Sequence, residues 1–178
     1  MADMFFNDLL IRFNRLDEDA NLLFEDDTRF HLIVIGGSAL ILHGFYVRAT
    51  RDIDSISVSK ELYPLLGKYD INTLSQAFIN CLPYNFEDRL TLVFNGKKVD
   101  VFAASLEDIV IAKLYASRPI DVVDLTTDSI IQNIDWELLD FLATDSSEAW
   151  SSRLNDRNYE IFLDAYNDYK RKYSPCVN

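Results

Sequence analysis

The sequence predicts an α+β protein, with a mixed β-sheet of three to five strands, helices on one face and a helical C-terminal part. Three observations indicate this class. The β-branched run at residues 31–35 stops at Gly36-Gly37, which is typical of a strand that ends in a tight turn. Two further apolar runs flank Asn95-Gly96, a strong β-hairpin signal. Beyond residue 125, apolar residues recur only at helical spacing.

The individual elements follow from the same patterns. An amphipathic helix is predicted over residues 5–24, and a second strand ends near Val58. The hairpin spans residues 90–102, and Ser105 is a good N-cap for the helix that follows it. Pro119 separates that helix from one that begins near Asp121. The other predicted helices cover residues 38–45, 60–66, 71–82, 106–117, 135–142 and 155–172.

The length of 178 residues suits one compact unit. We divide it into an N-terminal helix (1–30), a core (31–125) and a C-terminal helical part (126–178), with a frayed tail from Tyr173. No apolar run is long enough to span a bilayer, and the first residues lack the basic stretch of a signal peptide. Cys81 and Cys176 are too few for a disulfide framework, so a cytoplasmic location without membrane partners is expected.

The net charge of −12 argues against broad nucleic-acid binding, which needs a basic face. Acidic runs at residues 17–19 and 25–27 are expected on solvated surface. His31 and His43 lack a zinc-ligand pattern and are expected in the core or at the surface. Six cations near the central motifs leave room for a local basic groove: Arg48, Arg51, Lys97, Lys98, Lys113 and Arg118.

Asp52 and Asp54 are the first candidate site residues. Side chains alternate along a strand, so the two carboxylates point to the same face, roughly 6–7 Å apart. Such a pair repels unless a positive group lies between its members, and a divalent metal with oxygen ligands is the usual answer. The backbone of the Gly36-Gly37 turn can approach a phosphate closely. Each motif alone is more often a tight turn or a solvated strand edge, but together they indicate nucleotide chemistry.

Asp100 is a third candidate. It lies in the second arm of the hairpin, between Val99 and Val101, and faces the side opposite to these valines. If that side adjoins the strand of Asp52 and Asp54, three carboxylates converge. The alternative is that Asp100 lies on the solvent side of an edge strand.

These motifs resemble the nucleotidyltransferase superfamily, which shares the polymerase β fold. Ile35-Gly36-Gly37, the unit Asp52-Ile53-Asp54 and Val99-Asp100-Val101 match its three motifs in order. The closer resemblance is to the AbiEii-like branch of abortive-infection and toxin–antitoxin systems, over roughly residues 31–125. It includes residues 48–54, the helix of Leu106-Glu107-Asp108 with Lys113, and the segment from Arg118-Pro119 to Leu125. Ile120 and Ser55 depart from that pattern, because relatives often have a basic and an apolar residue there.

The resemblance implies a role for each matching residue. Asp52, Asp54 and Asp100 would hold Mg²⁺ (or Mn²⁺) in a two-metal site. The triphosphate would contact Gly36, Gly37, Ser38, Arg48, Thr50 and Arg51. Lys113 would offset charge and Asp124 would orient it; the alternatives are an ordinary solvated lysine and an aspartate that caps or pairs within a helix.

The function implied is metal-dependent transfer of a nucleoside monophosphate from a nucleoside triphosphate to a hydroxyl. The acceptor would be an RNA 3′ end or a protein, in a toxin–antitoxin or phage-defence system with an antitoxin as partner. One alternative is an enzyme that modifies a small hydroxylated molecule such as an aminoglycoside. The other is a non-catalytic nucleotide-binding module of the same fold.

Overall fold

The computed structural model describes residues 3–25, 27–45, 48–145 and 157–175, and only the backbone of residues 76–78. The α+β class is confirmed. The chain forms two compact units, Met1–Ile79 with Arg89–Ala104, and Asn80–Asp88 with Ser105–Asn178. The predicted division at residues 30 and 125 stays a prediction. The predicted helix start at residue 155 and the end of the predicted tail lie outside the described residues.

The first unit is built on a five-stranded mixed sheet. Its strands are β1 Phe30–Ile35, β2 Ile53–Val58, β3 Ile71–Asn72, β4 Thr91–Asn95 and β5 Val99–Ala103, in the order β3-β2-β1-β5-β4. β1 pairs antiparallel with β2 and parallel with β5, and the hairpin strands β4 and β5 are antiparallel. β3 pairs parallel with β2. The central strand β1 carries the predicted β-branched run, and Leu32 and Val34 are fully buried.

Two helices pack against this sheet. α1 covers Phe6–Leu23 and contacts β5, and α2 covers Gly36–Leu42 and contacts β1 and β2. α1 confirms the predicted amphipathic helix, since it buries Leu9, Phe13 and Leu16 at helical spacing. The predicted helix over residues 60–66 is a 3₁₀ turn, Lys60–Leu62, followed by the short helix α3, Tyr63–Leu66.

The predicted helix over residues 71–82 is wrong at its start. Ile71 and Asn72 form β3 beside Ile53 and Asp54, and a 3₁₀ segment follows at Leu74–Cys81. Pairing with β2 buries the Ile71 side chain. This tertiary contact outweighs the helical spacing of the local sequence. The side-chain oxygen of Asn72 accepts a hydrogen bond from the Leu74 backbone and ends the strand after two residues.

One acidic side chain ties α1 to the hairpin. Asp17 is buried, and its carboxylate accepts hydrogen bonds from the backbone N–H groups of Lys97, Lys98 and Val99, at 2.9, 2.7 and 2.8 Å. A Cβ on Gly96 would lie 2.3 Å from Oδ1 of Asp17. The glycine at position 96 is therefore required by the close approach of this carboxylate.

Asp17→Asn is expected to lower the free energy of unfolding by about 2–3 kcal/mol, because the amide NH₂ replaces an acceptor and faces a buried backbone donor. Urea denaturation measures the change. Asp168→Asn is the matched control, since Asp168 pairs with Arg171 and its side chain is 73 % exposed; that change should fall within about 0.5 kcal/mol. Equal effects of the two substitutions would contradict the assigned role of Asp17.

The second unit is helical after residue 105. Its helices are α4 Leu106–Ala116, α5 Pro119–Leu125, α6 Asp128–Ile131, α7 Trp136–Thr144 and α8 Arg157–Tyr173. Ser105 caps α4 as predicted, because its hydroxyl accepts from the Asp108 N–H at 3.1 Å. Pro119 is the first residue of α5, where a missing N–H costs nothing. None of the helices in the described residues is long and apolar enough to cross a membrane.

An aromatic cluster forms the core of this unit. The spacing of apolar residues in α8 predicts a buried stripe of Tyr159, Phe162, Leu163 and Tyr166. All of these are buried except Leu163, which is half-buried, and α8 contacts α4 and α7. The Phe162 ring stacks on Tyr115 of α4, with 4.3 Å between the ring centroids and 5° between the planes. Burial raises the pKa of Tyr166, which donates to Asp140 of α7 at 2.7 Å. Tyr159 of α8 also donates to the Ala143 carbonyl of α7 at 3.0 Å. The three helices are thus joined by packing and by tyrosine hydroxyl groups.

Candidate active site

The turn after β1 requires glycine at its first position. Gly36 has φ of +71°, a conformation that L-residues with side chains rarely adopt. A Cβ at this position would lie 3.1 Å from Oδ2 of Asp54, which stands opposite Ile35 in the antiparallel pair of β1 and β2. The structure therefore brings the glycine turn and the second carboxylate of the Asp52-Ile53-Asp54 motif together.

A side chain that the sequence did not single out joins the two aspartates. Nδ2 of Asn72, on β3, donates to Oδ2 of Asp52 at 3.0 Å and to Oδ1 of Asp54 at 3.1 Å. Two oxygens that share one donor lie no more than roughly 6 Å apart. The carboxylates thus point to a common position with a neutral amide donor between them, although Asp52 precedes β2, which begins at Ile53.

The segment before the aspartates lies along the second glycine. A Cβ on Gly37 would lie 3.7 Å from Oγ1 of Thr50 and 3.8 Å from Nη2 of Arg48. Thr50 is buried, and its hydroxyl donates to the Asp52 carbonyl at 2.9 Å. Met4 forms an antiparallel bridge with Thr50 and so holds the N-terminal segment against this part of the site. Arg48 is the predicted phosphate-binding cation that the structure places beside the turn.

Two other predicted nucleotide contacts have different positions. Ser38 is 1 % exposed, and its hydroxyl donates to the Ile35 carbonyl at 3.1 Å. The hydroxyl therefore closes the turn, and the contact of Ser38 with the triphosphate stays a prediction. Nε of Arg51 donates to Asp3 at 3.2 Å in an exposed ion pair.

The predicted convergence of three carboxylates is wrong. β1 lies between β2 and β5, so Asp100 is not on a strand next to that of Asp54. Asp100 stands opposite His31 and Asp54 opposite Ile35, which are four residues or about 13 Å apart along β1. Because β5 is parallel and β2 antiparallel to β1, the early part of β5 and the early part of β2 lie at opposite ends of the sheet.

Asp100 has partners of its own at that end. The Arg29 guanidinium donates to both carboxylate oxygens, at 2.5 and 3.2 Å, and Nδ2 of Asn95 donates at 2.8 Å. The paired carboxylate in turn raises the pKa of Arg29. The edge-strand alternative does not describe Asp100 either, because β5 pairs with β4 on its outer side. Asp100 instead lies on an internal strand and holds Arg29.

The donor set at Asp52 and Asp54 limits the kind of metal site. In the described parts of the chain, no group of three or more histidine, cysteine, aspartate or glutamate residues could hold a metal ion. Mg²⁺ in phosphate-transfer sites is commonly held by one or two carboxylates, water and the substrate phosphates. Two carboxylates that already share one donor fit such a substrate-borne ion, and they do not form a cage for a resident metal.

Lys113 belongs to the second unit, where it is enclosed by carboxylates. Its ammonium donates to Asp121 at 2.8 Å and to Asp124 at 2.7 Å, and the three side chains are 5 %, 1 % and 0 % exposed. Arg118 donates to Asp121 at 2.7 Å. The predicted contact of Lys113 with Asp124 is confirmed. The alternative of a solvated Lys113 is wrong.

Asp121 belongs to the segment from Arg118 to Leu125, and the sequence assigned it no role in the site. Burial alone would raise its pKa, but hydrogen bonds from Arg118 and Lys113 outweigh burial and lower the pKa. Its spacing of three residues from both Arg118 and Asp124 places it on their face of α5, and that spacing was the available signal. Asn72 had no such signal, because its segment had helical spacing.

The mixed sheet, the glycine turn and the paired aspartates define a protein of the nucleotidyltransferase superfamily. A family profile matches residues 11–174, and the chain belongs to that family, described as "Nucleotidyltransferase of unknown function (DUF6036)". No curated protein and no solved structure matches the chain. The AbiEii-like branch stays a prediction.

Proposed function

We propose that this nucleotidyltransferase moves a nucleoside monophosphate from a nucleoside triphosphate to a hydroxyl acceptor, and that Asp52 and Asp54 bind Mg²⁺ or Mn²⁺ with the substrate. One observation carries the proposal: Gly36, in a left-handed conformation that favours glycine, brings the turn after β1 against Asp54, which shares a donor with Asp52. Held side by side, two carboxylates favour a cation between them.

In the proposed reaction, the acceptor oxygen forms a bond to the α-phosphorus. The bond from that phosphorus to the bridging oxygen breaks, and pyrophosphate leaves with the electron pair. The hydroxyl proton passes to solvent water. A bound divalent ion supplies Lewis-acid stabilisation of the phosphate charge. The chain itself contributes the carboxylates of Asp52 and Asp54, the open backbone of Gly37, and the charge of Arg48 beside it.

A nucleoside triphosphate and Mg²⁺ together should raise the melting temperature more than either alone, because ligand binding to the native state stabilises it by mass action. At a hundred times Kd, the gain is about 2.7 kcal/mol. Differential scanning fluorimetry measures it, with the triphosphate plus EDTA as control. Calorimetry that finds no binding of any of the four triphosphates at millimolar concentration, with Mg²⁺ or Mn²⁺, would contradict the proposal.

The proposed acceptor is an RNA 3′ end or a protein, in a toxin–antitoxin or phage-defence system with an antitoxin partner. A small hydroxylated acceptor is the second candidate, and one observation favours it. Lys98 and Lys113, two of the six cations expected to form a basic groove, are buried; the Lys98 ammonium donates to the Glu25 carbonyl. RNA binding depends on exposed cations. The burial of Lys98 and Lys113 therefore weakens the argument for a basic groove that binds RNA.

One labelling experiment separates these candidates. Purified protein, Mg²⁺ and each α-labelled triphosphate are incubated with total RNA, with a protein extract, or with a panel of aminoglycosides. Label in the RNA or protein fraction supports the first candidate, and label in the small molecules supports the second. Triphosphate binding without transfer to any acceptor would favour a non-catalytic binding module, a result compatible with the separation of Asp100 from the aspartate pair.

A further inference from the structure

A cavity of about 670 Å³ lies in the first unit, between the start of α1 and the end of α2. Aromatic rings from two separate segments line it, Phe5 and Phe6 from one and Phe45 from the other. Its other walls include the aliphatic Ile41 and the polar Asn7 and Arg48. Phe5 and Phe6 are 58 % and 44 % exposed. Large rings kept in a concave, partly solvated surface are typical of a ligand site.

Arg48 connects this cavity with the candidate active site. It lines the cavity, and its Nη2 lies 3.8 Å from where a Cβ on Gly37 would be. Met4, which precedes Phe5, forms two backbone hydrogen bonds with Thr50, at 2.7 and 3.1 Å. These bonds hold the start of the chain next to the segment that leads to Asp52. α2 has seven residues, so its far end at the cavity is about 10 Å from the glycine turn.

We propose that this cavity receives the nucleobase of the nucleoside triphosphate whose phosphates lie at Gly36 and Gly37. The inference rests on the proposed function and adds the subsite for the base. A nucleobase is a flat ring that stacks on phenylalanine, and each such contact contributes substantially to binding. Arg48, between cavity and turn, would place its positive charge along the path from base to phosphates.

The charges around the cavity favour a base over a phosphate. Asp8 also lines the cavity, and its carboxylate accepts from the Phe5 N–H at 2.9 Å. A phosphate there would be repelled by Asp8. The ring N–H and amino groups of a base, in contrast, can donate to the side-chain oxygens of Asn7 and Asp8.

Titration calorimetry with each of the four nucleoside triphosphates, and with inorganic tripolyphosphate, tests the inference in the presence of Mg²⁺. The wild type is expected to bind at least one nucleotide more tightly than tripolyphosphate. Phe5→Ala and Phe45→Ala are expected to weaken that nucleotide roughly 5- to 100-fold and to leave tripolyphosphate unchanged. Tyr84→Ala, at a 92 % exposed aromatic residue outside the cavity, is the matched control and should change neither.

The outcomes separate the base subsite from the proposed function. Equal wild-type affinities for nucleotides and tripolyphosphate would overturn the base subsite and leave the phosphate site standing. Unchanged nucleotide affinity in both phenylalanine variants, or equal weakening of both probes, would overturn it as well. A wild type that binds neither probe would overturn the proposed function and the subsite with it.

Discussion

Replacing Lys113 with methionine is expected to lower the free energy of unfolding by about 3–5 kcal/mol. The substitution keeps an unbranched side chain of similar volume but leaves Asp121 and Asp124 without their shared ammonium. Both carboxylates are buried, at 1 % and 0 % exposure, so neither can recover the lost interaction from water. Urea unfolding measures the change, since a loss of this size shifts the midpoint well beyond experimental error.

Lys170→Met is the matched control for this substitution. Lys170 also donates to an aspartate, Asp140, at 2.5 Å, but the two side chains are 40 % and 42 % exposed. Its loss should cost no more than about 1 kcal/mol. The triple variant with Lys113→Met, Asp121→Asn and Asp124→Asn should recover part of the stability, because no unpaired charge stays buried. A Lys113→Met variant as stable as Lys170→Met would contradict the buried network.

The same network gives a direction for the effect of pH. The folded-state pKa of Asp121 is lowered, since hydrogen bonds from Arg118 and Lys113 outweigh its burial. Its contribution to stability is therefore fully present above the unfolded-state pKa of about 3.9, and it is lost as the pH falls through the lower folded-state value. In Lys113→Met, this part of the acid dependence should shrink.

The elements predicted well from sequence are those that local chemistry determines. The Asn95-Gly96 signal predicted the hairpin, although Asn95 lies in β4 and the loop residues are Lys97 and Lys98. The Ser105 hydroxyl specified the start of α4, and the apolar stripe of α8 specified its buried face. In each case the signal lies within a few residues of the structure that it determines. Gly36 belongs with them, because only glycine suits its backbone conformation.

The features that could not be predicted depend on strand order and register. The alternation of residues in β5 predicted the face of the sheet on which Asp100 lies. It could not predict which strand lies beside β5 or at which end of the sheet Asp100 is placed. β3 has only two residues, and their pairing with β2, not their own pattern, makes them a strand. Asn72 could not be identified as a site residue for the same reason, since its position beside Asp54 exists only after that pairing.

The structure explains why a serine occupies position 55, where the family pattern has an apolar residue. The pairing of β1 with β2 shifts register between Ile33 and Val34, and the Ser55 hydroxyl donates to the Ile33 carbonyl at 3.0 Å. The hydroxyl thus satisfies a buried acceptor at the irregularity, where an apolar side chain could not.

Asp54→Asn is expected to abolish Mg²⁺-dependent nucleotide transfer, by at least about 100-fold, because a neutral amide no longer holds the cation. The stability of the ligand-free protein should change by no more than about 0.5 kcal/mol. The substituted side chain keeps an oxygen that can accept from Asn72. The substitution also removes the repulsion between the carboxylates of Asp52 and Asp54, which share the Asn72 donor. Melting curves with and without Mg²⁺ and nucleotide, together with a labelled-transfer assay, measure both effects.

Asp100→Asn is the informative control, because the sequence alone assigned Asp54 and Asp100 the same role. In the structure, Asp100 holds Arg29 at the other end of β1. Its substitution should cost up to about 1 kcal/mol of stability and leave both transfer and the magnesium-dependent melting shift intact. If Asp100→Asn abolished transfer as completely as Asp54→Asn, the active protein would need a sheet arrangement different from this one. If Asp54→Asn unfolded more readily than wild type and responded equally to Mg²⁺ and nucleotide, Asp54 would be a structural residue and the site would lie elsewhere.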